Sequence, residues 1–182
     1  PTFLIFMQKH KLLLYVFFAV ASWLSAQTGK PLSAHSFFKP IDMATVQLRG
    51  NYTRSYTPKK YETYQLDLAA MNAVLQSAPR EFTPEAEQHR CLLAFPTAGG
   101  QMEEYSIWKI AMMDADWAAR YPGIQTFAGQ SLRDPGKAIR LTVSDTRGLN
   151  AMILRPDMGA EYVEPYRWGQ TTYYMAFDHA DY

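Results

Sequence analysis

The strongest constraint on this chain lies in its last third, Tyr121 to Tyr182, where short runs of alternating apolar residues are cut apart by turn sequences. The cuts are Asp134-Pro135-Gly136-Lys137, Thr146-Arg147-Gly148 and Pro156-Asp157-Met158-Gly159, each placing proline or glycine where a backbone reverses. In Ala138 to Ser144, residues Ile139, Leu141 and Val143 share one face and Arg140 and Thr142 the other. Leu149, Ala151 and Ile153 repeat the pattern, as do Tyr173, Met175 and Phe177. This is the period of strands. Links this short join antiparallel neighbours, because a parallel return needs a crossover of a dozen residues or more.

Upstream, Cys91 to Phe95 and Met102 to Met112 read as two further strands around Pro96-Thr97-Ala98-Gly99-Gly100, whose glycines suit a hairpin. Between Tyr61 and Ser77, residues Leu68, Met71, Val74 and Leu75 recur at three- and four-residue spacings and line one side of a helix. Ala78-Pro79 stops it, since the residue before proline is driven out of the helical region. Asp114 can cap a second, short helix to Arg120, ended by Tyr121-Pro122-Gly123. The expected fold is α+β: an antiparallel β-sheet meander with one main helix and a short second helix packed on it.

Residues 1–26 stand outside that domain. Met7 opens a basic start with Lys9 and Lys11, Leu12 to Leu24 is an apolar run of 13 residues, and Ser25-Ala26 are small. That is the three-part pattern of a secretory signal, and it is shorter than the ~20 apolar residues a membrane-crossing helix needs. Residues 1–6 are expected to come from upstream translated sequence, with cleavage after Ala26. Residues 27–60, with Pro31, Pro40 and Pro58 and no sustained period, read as an extended lead-in, and residues 61–182 as the folded domain. Asn51-Tyr52-Thr53 fits a glycosylation acceptor.

The chain is net +1, and residues 1–26 hold two lysines and no acid, which leaves −1 for residues 27–182. A near-neutral exported body has no electrostatic footprint for nucleic acid or anionic lipid. With one cysteine, Cys91, it forms no internal disulfide and depends on its core. The expected location is secreted or cell-surface, without stable membrane insertion once the signal is removed.

No catalytic constellation emerges from the residues. The histidines, His10, His35, His89 and His179, never approach the H-E-x-x-H spacing of a zinc peptidase. His179-Ala180-Asp181 has no third member and reads as a solvated tail. Glu103 and Glu104 are adjacent on a strand and point to opposite faces. They, Asp114, Asp116 and the acids from Glu161 to Glu164 read as solvated surface. Ser106, Ser131 and Ser144 lack the G-x-S-x-G context of a nucleophile, and Gly99-Gly100 lacks the lysine of a phosphate cradle. Cys91 carries the one sharp hypothesis, a thiolate that occupies the open position of a zinc ion. Because it opens the apolar run Cys91 to Phe95, a buried small hydrophobe is the simpler reading.

Taken in order, Ala78-Pro79, Leu92 to Phe95, Ala111-Met112-Met113, Arg120-Tyr121-Pro122 with Ile124, Gly129, Asp134-Pro135, Arg140, Gly148 to Ile153 and Glu164-Pro165-Tyr166 resemble a known pattern. It is the amino-terminal pro-region of secreted reprolysin-like zinc metallopeptidases, whose precursors often carry type IX secretion sorting modules. The resemblance covers residues 60–182. Leu149 and Asn150 stand where the family tends to have Phe and His, and Glu164 where it has Asp. The resemblance implies a pro-domain, not an enzyme, that assists folding of a downstream metallopeptidase domain in cis or keeps it latent. Zinc would belong to that downstream domain, with no cofactor in this chain and Cys91 as the only candidate blocking ligand. The competing expectation is an independent extracellular binding module whose exposed aromatics, Tyr162, Tyr166, Trp168, Tyr173 and Tyr174, grip glycan or protein.

Overall fold

The computed structural model describes residues 34–182 apart from 49, 51, 52, 55 and 170. The signal-like segment and the acceptor Asn51 lie outside the described residues. Within Ala34–Tyr182, the alternating runs form a continuous meander of seven strands. These are β4 (Cys91–Pro96), β5 (Met102–Lys109), β6 (Ile124–Ser131), β7 (Ala138–Ser144), β8 (Gly148–Leu154), β9 (Ala160–Pro165) and β10 (Tyr173–Asp178). Each is antiparallel to the next, as the short turns require. At the turn between β7 and β8, Gly148 takes φ +71°, a backbone region that a residue with Cβ occupies only under strain.

The sheet does not stop at β10. That strand pairs with β3 (Glu62–Leu66), and β3 pairs with β2 (Phe38–Pro40), both antiparallel. At the opposite edge, β1 (His35–Ser36) runs parallel to β4. The order is β1-β4-β5-β6-β7-β8-β9-β10-β3-β2. Only Phe37 separates β1 from β2, so one six-residue strap, His35–Pro40, is hydrogen-bonded to both edges of the sheet. The ten-stranded sheet is thereby curled almost into a barrel, which removes free edges. Pro40 is tolerated at the end of β2, where a missing N–H interrupts no central ladder.

This corrects the expected α+β layering. The alternation in β7 and β8 correctly signals one dry face, whereas in β10 it is Tyr174 and Ala176, not Tyr173, Met175 and Phe177, that join the interior. The sheet itself supplies the cover, with interior side chains from all around the wall meeting in one cluster. Phe38, Tyr64, Leu93, Phe95, Tyr105, Ile107, Phe127, Ile139, Leu141, Leu149, Ile153, Val163 and Tyr174 belong to it. Gly129 on β6 keeps the wall close, since a Cβ there would lie 2.5 Å from Ile107 Cδ1 and 2.8 Å from Ile139 Cγ2. Filling the interior at native density makes truncations costly, about 3–5 kcal/mol for a fully enclosed leucine such as Leu93.

Helices are a minor component. The expected helix from Tyr61 to Ser77 divides in two. Tyr64 and Leu66 point inward from β3, and only then does α1 (Leu68–Gln76) begin, with Asp67 Oδ1 accepting from Ala70 N at 3.0 Å. α1 buries Met71 and Leu75 against the end of the barrel where β3 and β5 finish and β4 starts. Lys109 Nζ donates to Gln76 O at 2.8 Å, and Cys91 Sγ lies 3.9 Å from Val74 O. The helix plugs one mouth of the barrel. α2 (Pro84–Gln88) is a single short turn opened by proline. α3 (Ala115–Arg120) matches the expected second helix, capped by Asp114 Oδ1 on Trp117 N at 3.0 Å, but it buries no residue. The run Met102 to Met112, expected as one strand, leaves the ladder after Lys109.

The lead-in is also more structured than its composition implied. Beyond the strap it forms a 3₁₀ turn at Met43–Thr45, and Arg54 and Tyr56 pack on the outside of β10, Arg54 Nη2 lying 3.7 Å from Met175 Sδ. Tyr56 meets Phe177 and Tyr182 at ring separations of 5.8 Å, and Arg54 lies between Tyr61 and Tyr166, 4.9 and 4.7 Å from their ring centres.

Candidate functional site

Three places on the barrel combine chemistry with access. The first is the mouth opposite α1. Glu103, on the interior phase of β5, accepts from Lys137 Nζ at 2.8 Å and from Ser131 Oγ at 2.7 Å. Glu161 accepts from Ala98 N, on the β4–β5 turn, at 2.6 Å and from Arg155 Nη1 at 3.3 Å. Arg155 also binds Asp178 and, through Nε, Asp157 at 3.2 Å. Asp178 is held below the ordinary carboxylate range, first by the N–H of Ala180 and then by Arg155. Lys137 is pushed up chiefly by its hydrogen bond to Glu103. Of the acids expected to be solvated, Glu103 and Glu161 are therefore buried and matched with donors at this mouth, whereas Asp114 and Asp116 are exposed as expected. Glu103 and Glu104 do face opposite ways, but the inward one is buried because Lys137 reaches it across the neighbouring strands.

The second place lies outside the barrel, where Tyr56 of the lead-in meets the end of β9. Tyr56, Arg147, Asn150, Glu164, Pro165 and Trp168 line a hollow of about 280 Å³. Glu164 is 7% exposed and accepts from Asn150 Nδ2. Burial, only partly offset by that bond, pushes its carboxyl up to about 7. Arg147 stacks on Trp168, 4.5 Å from the ring centre. Among the described residues neither Arg147 nor Glu164 has an ion-pair partner.

The third place is a groove of about 520 Å³ beside α1, lined by Arg80, Phe82, Lys109, Met112, Ala118 and Ile124 among others. Phe82 is 94% exposed and has φ +60°, and Met112 is 71% exposed. α3 adds Trp117 stacked on Tyr121, with ring centres 5.7 Å apart. The chain thus turns Phe82, Met112 and Ile124 outward around one concavity, an uncommon clustering of exposed apolar side chains on a folded domain.

The chain matches no family model, no curated protein and no solved structure.

The sequence-singled residues are scattered. Cys91 is buried in the core under α1, and burial pushes its thiol up. In this conformation it does not present a sulfur to the surface. His35 stacks on Phe37 in the strap, and His89 ends α2. His179 lies in a 3₁₀ turn, His179–Asp181, with its ring against Tyr162, while Asp178 caps that turn. Ser131 and Ser144 serve turns, accepting from Arg133 N at 3.2 Å and Arg147 N at 3.1 Å. Gly99-Gly100 forms the β4–β5 turn. No three His, Cys, Asp or Glu side chains converge as metal ligands among the described residues, and no helix there is long and apolar enough to cross a membrane.

The five aromatics do not form one exposed face. Tyr174 is fully buried, its hydroxyl accepting from Leu149 N at 3.2 Å. Tyr162, Tyr166 and Tyr173 are half-buried, and only Trp168 is exposed. Their strand alternation could have separated Tyr174 from Tyr173. The hollow around Glu164 had no such signal, since it joins residues from the lead-in, the β7–β8 turn and β9.

Proposed function

We propose that this chain is the amino-terminal part of a secreted zinc metallopeptidase precursor, a signal and a pro-domain, which acts by covering a downstream protease domain. The observation that supports the reading is the apolar groove beside α1. Phe82 and Met112 stand in water together with Ile124 around this one concavity, whereas Met158 and Trp168, exposed elsewhere, do not line it. Contiguous exposed apolar surface is the mark of a partner contact, and the ordered resemblance along residues 60–182 gives the partner its class. Zinc and the activated water belong to the partner. This chain contributes shape, apolar area and latency by occlusion, with Cys91 held inside the barrel and not offered to the metal.

Two measurements test this. The reading frame past Tyr182 is expected to encode an H-E-x-x-H helix in the next domain, and its absence there removes the proposal. The chain, added in trans to the mature protease, is expected to inhibit it or speed its refolding. Phe82→Asp with Met112→Asp is expected to weaken that effect at least tenfold while the thermal unfolding of the chain is unchanged.

A further inference from the structure

The hollow around Glu164 belongs neither to the apolar groove nor to the ionic mouth, and its composition points to a ligand. Two opposite charges, Arg147 and Glu164, line one small concavity without pairing to each other or to another described residue. Buried charges are ordinarily paired, since leaving one without a partner is costly. Arg155 and Lys137 show that this chain pairs its other buried carboxylates. Among the described residues Glu164 has a single neutral donor, Asn150, on one oxygen. The guanidinium of Arg147 is held over the Trp168 ring, which fixes its plane at the rim. Tyr56, Pro165 and Trp168 supply an apolar lining between the two charges.

We propose that this hollow binds a small zwitterion, an α-amino acid with an apolar side chain, its ammonium on Glu164 and Asn150 Oδ1 and its carboxylate on Arg147. A guanidinium is suited to a carboxylate because it offers two parallel N–H donors. An ammonium offers Glu164 the cation it lacks. The volume, about 280 Å³, admits one such molecule and no folded partner. The site needs no metal and no covalent step, and it does not depend on the pro-domain reading, because it is built from Tyr56, Arg147, Asn150, Glu164, Pro165 and Trp168 and shares no lining residue with the groove.

Ionisation of Glu164 gives the proposal a signature. Its carboxyl titrates at about 7, and the ammonium binds the ionised form, so affinity should rise with pH up to about 7 and level off above it. Below 7 it should fall about tenfold per pH unit. The groups facing Glu164 are Asn150 on β8, Arg147 in the β7–β8 turn, Tyr56 from the lead-in and Tyr174 on β10. The two tyrosines are both pushed above 10, Tyr56 first by Glu164 itself and Tyr174 first by burial, so neither titrates near neutrality. His179 packs on the ring of Tyr162 and does not line the hollow.

The test is isothermal titration of the purified chain with L-leucine, N-acetyl-L-leucine, L-leucinamide and a hexose, at pH 5.5 to 8.5. Leucine is expected to bind, and removing its charge at either end should weaken binding at least tenfold. Arg147→Met, at an exposed position, should abolish the preference for leucine over leucinamide. Glu164→Gln, which retains the acceptor for Asn150, should abolish the pH dependence, and His179→Gln should not. No binding of leucine by the folded chain overturns the proposal. So does equal binding of leucinamide or N-acetyl-L-leucine, or a preference for the hexose. Failure here leaves the protease-covering reading untouched, since that is read from inhibition in trans.

Discussion

Two sets of buried carboxylates sit on the same barrel and are treated in opposite ways. At the mouth closed by the β4–β5 turn, Glu103 and Glu161 are held by Lys137, Arg155 and a backbone N–H, and the half-buried Asp178 shares Arg155. On the outer wall, Glu164 has only Asn150 among the described residues. The contrast teaches that burial of an acid is not itself a functional sign. A carboxylate whose charge is answered within the fold fixes turns and strand ends, whereas one whose charge is left open stays responsive to pH and to a ligand.

The comparison breaks most readily at Arg155. Arg155→Met should strand both Glu161 and Asp178 and lower stability by about 3 kcal/mol, read from chemical denaturation at pH 7. A loss under 1 kcal/mol would mean that the mouth is solvated and that the two sets do not differ.

Glu164→Gln should move the other way. The folded-state carboxyl titrates near 7 against an ordinary 4.5, so wild type loses stability as pH rises from about 4.5 through 7, where the unfolded chain ionises first. The substitution should therefore be near neutral at pH 4 and stabilising by about 2–3 kcal/mol at pH 8. Asp178 has the reverse sign. Its depressed titration supplies stability that is present above the ordinary carboxylate range and lost as pH falls through it, so Asp178→Asn should flatten the acid limb of a stability–pH curve.

Lys137→Met leaves Glu103 with Ser131 alone and should cost about 1–2 kcal/mol, less than Arg155 because one acid is stranded and not two. The smallest effect belongs to Tyr105→Phe. The Tyr105 hydroxyl is buried without a partner among the described residues, so its removal should change stability by less than about 0.5 kcal/mol, in either direction.

The meander was legible because its information is local. Period-two alternation and turn residues lie within a dozen positions of each other, and Asp114 signals the helix that starts directly after it. Barrel closure was not legible. The strap pairs Ser36 with Ala94 and Phe38 with Leu66, through runs of two and three residues that are too short to show a period. Burial of Glu103 rests on Lys137, 34 positions away, and the Glu164 hollow gathers Tyr56, Arg147 and Trp168 from three segments. Charge is local in a sequence, but compensation is a property of the finished wall. The same reason explains the misplaced helix layer, since nothing within a strand says whether its sheet curls onto itself or awaits a cover.

The strap has a consequence for how the molecule is made. His35–Pro40 leaves the ribosome early, yet the β3 strand beside it lacks its other neighbour, β10, until residue 178 has been synthesised. The seam is thus stitched last with the oldest thread. A nascent chain of this kind remains open until its last strand is made, folds slowly for its size because its decisive pairings span most of its length, and cannot close if it is truncated before Tyr173.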